Sequence, residues 1–182
     1  MLPLLWYRRE RYGYAFRRIR MAQPRYAKVD PANYKRLREY EWFAQKGKNC
    51  FYTRGRLATS KGKERLTYMH QEVIKVPKGM VVDHINHDGM DNRRANLRAA
   101  TRAQNIRNRK KFAKSSGSKY KGIYWRKKTR KWEVQITFER KKIFLGCFRD
   151  EIEAAKAYDR AAIKYHGEFA SLNFPQSRSG SH

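Results

Sequence analysis

The clearest alternation of apolar and polar positions lies in the C-terminal third of the 182-residue chain. Every second residue is apolar in three successive runs: Ile123 and Trp125; Trp132, Val134, Ile136 and Phe138; Ile143, Leu145 and Cys147. A period of two residues is typical of strands that bury one face and expose the other. We therefore expect three antiparallel strands here, with the named positions facing a core.

A helical period replaces this alternation directly after the strands. Asp150 and Glu153 have the spacing of a capping box, and Gly167 is suited to end the helix that follows. One face of this helix collects Ile152, Ala155, Tyr158, Ala162 and Tyr165. Because alanine lets a helix approach a sheet closely, the pattern predicts a helix packed on three strands, in a domain of about sixty residues.

The N-terminal part of the chain has shorter and less regular patterns. Asp30-Pro31 is typical of a helix N-cap followed by proline at the first helical position. Strand-like runs lie at Cys50–Arg54 and Arg65–Met69, and a short helix is predicted near His70–Lys75. Residues 1–25 are basic and aromatic, and we predict an arm that grips phosphate, with a frayed terminus as the alternative.

The charge of the chain narrows the class of partner. There are 44 Lys and Arg against 16 Asp and Glu, which gives a formal net charge of +28. Sixteen of these cations, and no Asp or Glu, fall within residues 92–131, which indicates a binding face. Because cations paired with phosphates release counterions, double-stranded DNA is the expected partner, with structured RNA as a weaker alternative. An anionic membrane is disfavoured, since the apolar start Met1–Tyr7 is too short to cross a bilayer.

The cysteines bear on metal chemistry and on location. Cys50 and Cys147 lie far apart and form no CxxC pair, so a structural zinc site made of thiolates is excluded. Two free thiols fit a reducing compartment, and we expect a cytoplasmic protein of the nucleoid or of a phage-infected host cell.

Candidate chemistry is concentrated where a short apolar strand ends in Asp83-His84. Asn96 follows twelve residues after His84, and Asn105 a further nine, early in a predicted helix. Carboxylate and amide oxygens suit Mg²⁺ or Mn²⁺, so Asp83 and Asn105 are predicted to hold one divalent ion per site. His84 titrates near neutral pH and is the predicted general base. Asn96 is predicted to bond the backbone or the His84 ring and so to orient the imidazole.

Five short motifs surround these residues: Met69-His70-Gln71-Glu72, Val82-Asp83-His84-Ile85-Asn86, Asp91-Asn92-Arg93-Arg94, Asn96-Leu97-Arg98 and Ala100-Thr101-Arg102-Ala103-Gln104-Asn105. Together they resemble the HNH homing endonucleases of phages and mobile introns. The resemblance implies a ββα-metal fold that nicks or cuts double-stranded DNA. It places Asp83-His84 in the first family position, Asn96 in the middle one and Asn105 in the last.

Two alternatives and a set of DNA contacts accompany this assignment. Asn108, one helical turn beyond Asn105, is the alternative second metal ligand, and His87 is the neighbouring candidate for the general base. DNA contacts from the basic stretch of this module are predicted at Arg93, Arg94, Arg98 and Arg102.

A second set of motifs lies in the C-terminal region: Ser118-Lys119-Tyr120-Lys121-Gly122-Ile123, Trp132, Phe144-Leu145-Gly146-Cys147-Phe148, Glu153-Ala154-Ala155, Ala157-Tyr158-Asp159 and Leu172-Asn173-Phe174-Pro175. These motifs resemble the AP2-type DNA-binding domains. The resemblance implies that the three-stranded sheet lies in the major groove. Carried over by position, the DNA contacts are Lys121, Tyr124, Arg126, Gln135, Thr137, Lys142 and Phe144, and the charged hairpin tip adds Lys128.

The whole chain is therefore predicted to be α+β, with a ββα-metal HNH nuclease module followed by a three-stranded antiparallel sheet packed on one helix. The predicted boundaries are an arm at 1–25, the HNH domain at 26–110, a basic Ser/Gly linker at 111–118, an AP2-like domain at 119–175 and a disordered tail at 176–182. The predicted activity is metal-dependent DNA cleavage by a monomer with no obligatory protein partner. The alternative is a non-catalytic, sequence-specific DNA-binding protein or transcription regulator.

Overall fold

The computed structural model describes residues 4–5, 8–9, 15–48, 50–58, 63–111 and 117–175. The fold is α+β, as predicted, and its sheets are antiparallel. The chain divides into two compact units, Met1–Arg102 and Ala103–His182. Among the described residues, no helix is both long enough and apolar enough to cross a membrane.

The described part of the first unit contains three antiparallel sheets and short helices. Strands β1 (Arg17–Arg20) and β2 (Tyr26–Val29) pair with each other, and helix α1 (Pro31–Leu37) follows. A three-stranded sheet in the order β3-β4-β5 comes next, and a final two-stranded ribbon ends the unit. Its remaining elements are β3 (Glu41–Lys46), β4 (Phe51–Ala58), β5 (Glu64–Tyr68), α2 (Met69–Val73), β6 (Val81–His84), a 3-10 turn (Arg94–Asn96) and β7 (Leu97–Ala100).

Trp42 organises the core of this unit. Its indole is 2% exposed, and its Nε1–H donates to the carbonyl oxygen of Leu37 at 2.7 Å. Trp42 pairs with Gly55 across β3 and β4, and a Cβ on Gly55 would lie 2.5 Å from the indole ring. Glycine is therefore required where the ring crosses the neighbouring strand. Other buried members of this core are Ile19, Met21, Ala27, Val29, Leu57 and Met69.

The predicted N-terminal arm is wrong for residues 17–21. These residues form β1 and the start of the following loop, and Ile19 and Met21 are buried in the core with 5% and 3% exposure. The run is dominated by arginines, and only two apolar side chains anchor it, so the sequence pattern did not show a strand. Residues 1–3, 6–7 and 10–14 of the predicted arm lie outside the described residues.

The loop between β6 and β7 is fastened to β2 by main-chain hydrogen bonds. The N–H of Lys28 donates to the carbonyl of Met90 at 2.8 Å, and the N–H of Asn92 donates to the carbonyl of Lys28 at 2.8 Å. Asp91, between them, forms a parallel bridge with Lys28. The second strand of the chain therefore supports the loop that follows Asp83-His84.

The second unit is a three-stranded sheet covered by a long helix. After α3 (Arg102–Arg107), which begins at the border, come β8 (Ile123–Arg126), β9 (Lys131–Phe138), β10 (Lys141–Phe148) and α4 (Glu151–His166). The sheet order is β10-β9-β8, and the helix starts with Asp150 Oδ1 accepting from the N–H of Glu153 at 2.7 Å. The predicted strands and capping residue are confirmed. The core joins sheet and helix through Ile123, Val134, Ile136, Ala154, Ala155, Tyr158, Ala161 and Ala162.

A β-bulge in β10 changes the predicted alternation. The register with β9 shifts between Phe144 and Gly146, because Leu145 is an extra residue on this strand. Leu145 and Phe148 therefore pack against the core, whereas Cys147 is exposed. The prediction that Cys147 faces inward is wrong for this reason.

The predicted domain boundaries differ in position from the border between the compact units. That border falls between Arg102 and Ala103, whereas the sequence placed the end of the first module at residue 110. Residues 112–116 of the predicted linker and the tail at 176–182 lie outside the described residues. The boundaries at 110 and 118 stay predictions.

Candidate functional site

Asp83 and His84 are the last two residues of β6, and both are buried, with 3% and 5% exposure. Consecutive strand residues project to opposite faces of a ribbon, so the two side chains have different surroundings. Asp83 pairs with Arg98 on β7, and Arg98 Nε donates to Asp83 Oδ2 at 2.9 Å. The end of one strand thus holds a buried carboxylate and a buried imidazole in adjacent positions, on opposite faces of the ribbon.

The His84 ring lies among polar and aromatic side chains of the first unit. Its Nε2 is 3.3 Å from Asn92 Oδ1, and its ring centroid is 5.1 Å from that of His70 and 5.8 Å from that of Tyr52. Burial lowers the pKa of His84 below its usual value, against the opposing effects of the Asn92 hydrogen bond and of nearby carboxylates. The imidazole is therefore neutral at pH 7, as a general base must be.

His70 forms the other half of this histidine pair. It is 9% exposed, its ring stacks on Tyr68 at 5.3 Å, and it meets the His84 ring edge to face. Burial, with a smaller contribution from His84, lowers the pKa of His70 to about 3. His70 therefore contributes a neutral aromatic wall and no positive charge near His84 at neutral pH.

Sequence reasoning did not assign the roles of Asn92 and His70 beside His84. Both residues stand inside the quoted motifs, which was the one available signal. Their proximity to His84 depends on the fold of the loop and on the turn from β5 into α2, which no local pattern encodes.

Asn96 holds the loop between β6 and β7 closed. Its Oδ1 accepts from the N–H of Asn86 at 3.0 Å, and its Nδ2 donates to the carbonyl of Asp91 at 2.8 Å. Asn86 Nδ2 also donates to Asp91 Oδ2 at 2.9 Å. The sequence left open whether Asn96 bonds the backbone or the His84 ring. In the structure, its side-chain amide bonds the backbone on both sides of the loop. Asn96 therefore acts on the loop that carries Asn92.

The four arginines predicted to contact DNA in this module have two kinds of surroundings. Arg93 donates from Nε to Asp91 Oδ1 at 2.7 Å and from Nη2 to Asp91 Oδ2 at 2.5 Å, and Arg98 is paired with Asp83. Although burial alone would raise the pKa of Asp91, its hydrogen bonds to Arg93 hold that pKa below the usual value. Arg94 and Arg102 are exposed. Contact with DNA stays a prediction for all four.

The candidate second metal ligands lie on and directly after α3. Asn105 is half-buried and Asn108 is 4% exposed, and both belong to the second unit, whereas Asp83 belongs to the first. The shared ion therefore stays a prediction for either asparagine.

Carboxylate and amide oxygens are the donor types that a hard divalent ion takes, and the metal site stays a prediction. Asp83 is a buried carboxylate whose Oδ2 accepts a hydrogen bond from Arg98 Nε. In the described parts of the chain, no three His, Cys, Asp or Glu side chains group as a metal site. An ion here would rest on few protein oxygens and retain water, which is the usual coordination of Mg²⁺.

The outer face of the three-stranded sheet carries six of the residues predicted to contact DNA. Phe144 pairs with Gln135 and Lys142 pairs with Thr137 across β9 and β10, so these four share one face. The others on that face are Tyr124 and Arg126. Tyr124 is 42% exposed and Phe144 60%, so both aromatic side chains are open to solvent on this face.

Glu133 is an acidic residue on this face that the sequence analysis did not assign. Arg126 donates to it from Nε at 2.5 Å and from Nη2 at 2.7 Å, and Gln135 Nε2 also bonds it. The Arg126 hydrogen bonds lower the pKa of Glu133. The three side chains form one polar network in the middle of an otherwise basic and aromatic face.

Lys121 and Lys128 complete the predicted contacts. Lys128 is exposed in the turn between β8 and β9. Lys121 instead directs its ammonium inward: Nζ donates to the carbonyls of Arg107 at 2.6 Å and Arg109 at 2.7 Å. Burial lowers the pKa of Lys121 to about 8. Its engagement with these carbonyls was not expected from the sequence, and its contact with DNA stays a prediction.

Comparison with known proteins adds two findings. Residues 71–107 match the family model of the HNH endonucleases. The chain is also similar to the AP2-like ethylene-responsive transcription factor TOE2 of Arabidopsis thaliana, with 36% identity over 72 residues, 40% of this chain and 15% of that protein. It is 43% identical over 61 residues to APETALA2-like protein 2 of Oryza sativa subsp. indica, covering 34% of this chain and 14% of the rice protein.

In a shorter relative, the matching region is a larger share of the protein. The ethylene-responsive transcription factor ERF024 of Arabidopsis thaliana is 45% identical over 62 residues, 33% of this chain and 34% of that protein. The chain spans about one seventh of the length of the two longer relatives. Both resemblances drawn from the sequence motifs are confirmed: the chain combines a region similar to the HNH endonucleases with a region similar to AP2-type proteins.

Proposed function

We propose that this protein is a homing-type HNH endonuclease that hydrolyses phosphodiester bonds in double-stranded DNA. The observation that carries the proposal is the buried, neutral imidazole of His84 beside the Asp83 carboxylate, inside the region that matches the HNH endonuclease model. An unpaired surface histidine would give no such support. The proposed arrangement is a ββα-metal module followed by an AP2-like domain, working as a monomer on DNA.

His84 is the proton acceptor in this mechanism. Its neutral ring takes a proton from the attacking water, and the resulting imidazolium is stabilised by the neighbouring carboxylates that oppose the effect of burial. Asp83, with Asn105 as the expected second ligand, would hold one Mg²⁺ or Mn²⁺ ion per site, which would supply charge stabilisation at the phosphate and at the leaving oxygen. Asn96 keeps the surrounding loop closed through its two backbone hydrogen bonds.

The AP2-like domain aids the choice of site. Its exposed face offers Gln135 and Arg126 for hydrogen bonds to base edges, and Tyr124 and Phe144 for apolar contact. Lysines such as Lys142 neutralise phosphates and supply affinity that does not depend on sequence. The net charge of +28 makes such affinity strong at low salt.

Plasmid nicking tests the proposal. Wild-type protein is expected to relax supercoiled plasmid with Mg²⁺ and to stop when EDTA is added. His84→Ala is expected to lower the nicking rate by about 10²–10⁴-fold, with DNA binding retained. His87→Ala removes an imidazole from the neighbouring loop and is the matched control, which should cut like wild type. Equal rates for wild type and His84→Ala, or loss of cleavage in His87→Ala alone, would refute the role of His84.

The second candidate function is that of a non-catalytic, sequence-specific DNA-binding protein or regulator. The exposed aromatic and polar face of the sheet favours it, as do relatives that are named transcription factors. This alternative predicts specific binding with no nicking in any metal, so the EDTA arm of the same assay separates the two. Competition with structured RNA at matched salt tests whether duplex DNA is the preferred partner.

A further inference from the structure

Asn92 is completely buried, although its side chain is a polar amide. Its main-chain N–H donates to Lys28 on β2, and its Nδ2 donates to Thr53 Oγ1 on β4 at 3.3 Å. Its Oδ1 lies 3.3 Å from His84 Nε2. Buried amides require hydrogen-bond partners for both ends, and two elements of the fold supply them here. The position of this amide is therefore fixed.

The direction of the amide decides which nitrogen of His84 carries hydrogen. Nδ2 of Asn92 faces the Thr53 hydroxyl, and Oδ1 of the same amide faces Nε2 of the imidazole. An amide oxygen only accepts, which requires the hydrogen of the neutral ring to be on Nε2 and the lone pair on Nδ1. We propose that Asn92, oriented by Thr53, is the positioning residue that sets the tautomer of His84. The catalytic consequence rests on the proposed function, whereas the tautomer itself does not.

Two aromatic side chains pack against the His84 ring. His70 and Tyr52 contact the ring through their aromatic surfaces, which restrains its plane. Asn96 is bonded to the main chain of the loop. Asn92 adds a hydrogen bond at Nε2 of the imidazole, and such partners determine tautomer and orientation together.

Nitrogen NMR of the full-length protein, labelled with ¹⁵N-histidine, tests the tautomer without DNA or metal. His84 is assigned by comparison with His84→Gln, and spectra are recorded at pH 8, where the ring is neutral. The wild type and Asn92→Asp, which keeps an acceptor, should show the Nε2–H tautomer. Asn92→Ala should show a mixture of both tautomers. Thr53→Val, which keeps the shape and removes the hydroxyl, should shift the ratio in the same direction by a smaller amount.

Nicking kinetics give the functional readout. Asn92→Ala should lower kcat by about 10- to 100-fold with little change in KM, which is the size of effect seen when the hydrogen-bond partners of metal-bound histidines are mutated. Asn92→Asp should recover most of the lost kcat. An unchanged tautomer in Asn92→Ala would overturn the proposal, and an unchanged ratio in Thr53→Val would overturn the part assigned to Thr53. The proposal would also be refuted if Asn92→Ala were folded but inactive and Asn92→Asp had the same low kcat. If wild type does not nick DNA, the proposed function fails while the NMR result still decides the tautomer.

Discussion

Substituting Asn96 tests whether this residue only holds the loop between β6 and β7 or also takes part in the reaction. Its two hydrogen bonds join the N–H of Asn86 to the carbonyl of Asp91, and its side chain is 7% exposed. In Asn96→Ala the carbonyl is left buried without this donor, which costs about 1–3 kcal/mol, and the half-buried N–H adds about 1 kcal/mol. The expected loss is about 2–4 kcal/mol, a large share of the stability of an ordinary domain.

Two measurements on the same variant check this expectation. Amide hydrogen exchange of β6 and β7 should report the lost stability, and plasmid nicking should fall because the loop that carries Asn92 loosens. Asn105→Ala is the matched control, since it removes a predicted metal ligand and should lower nicking with no loss of protection in β6 and β7. If Asn96→Ala abolished nicking at wild-type stability, Asn96 would act directly in the reaction, and the reasoning from the loop would be wrong.

Two further predictions concern pH and salt. His70 has a folded-state pKa of about 3 against an ordinary 6.5, so the unfolded chain binds the proton more readily and the first unit should lose stability as pH falls from 6.5 toward 3. His70→Phe should be less sensitive to pH over that window in urea unfolding followed by hydrogen exchange, and an identical pH dependence would show that His70 is not buried as a neutral ring. Lys142→Ala should reduce the slope of log affinity against log salt for duplex DNA by about 1, and an unchanged slope would exclude a phosphate contact there.

The second unit was predictable because its apolar and polar residues alternate regularly along the strands. The helix was equally clear from its capping box and its alanine face, and the structure has both the strands and the helix. The bulge at Leu145 was not predictable, since an extra residue leaves no mark in the apolar pattern until its partner strand is known. Cys147 was therefore assigned to the wrong face.

The first unit was harder because its organisation depends on distant pairings. β1 was hidden among arginines, and β3 follows α1 too closely for a separate signal. The motifs located Asp83, His84 and Asn96 without assigning the contact between His84 and Asn92. That contact exists because the loop is paired with β2, some sixty residues earlier in the chain. Residue types at family spacing can indicate the chemistry, whereas the groups that orient it come from the tertiary fold.

The inward ammonium of Lys121 affects where the chain can be divided to make chimeric proteins. The stretch similar to the HNH family ends at residue 107, which is also the last residue of α3. The carbonyl oxygens of Arg107 and Arg109 accept hydrogen bonds from Lys121, which lies just before the first strand of the AP2-type sheet. A chimera joined at residue 110 would leave these carbonyls without their donor. Grafting a new targeting domain should therefore keep residues 103–121 together.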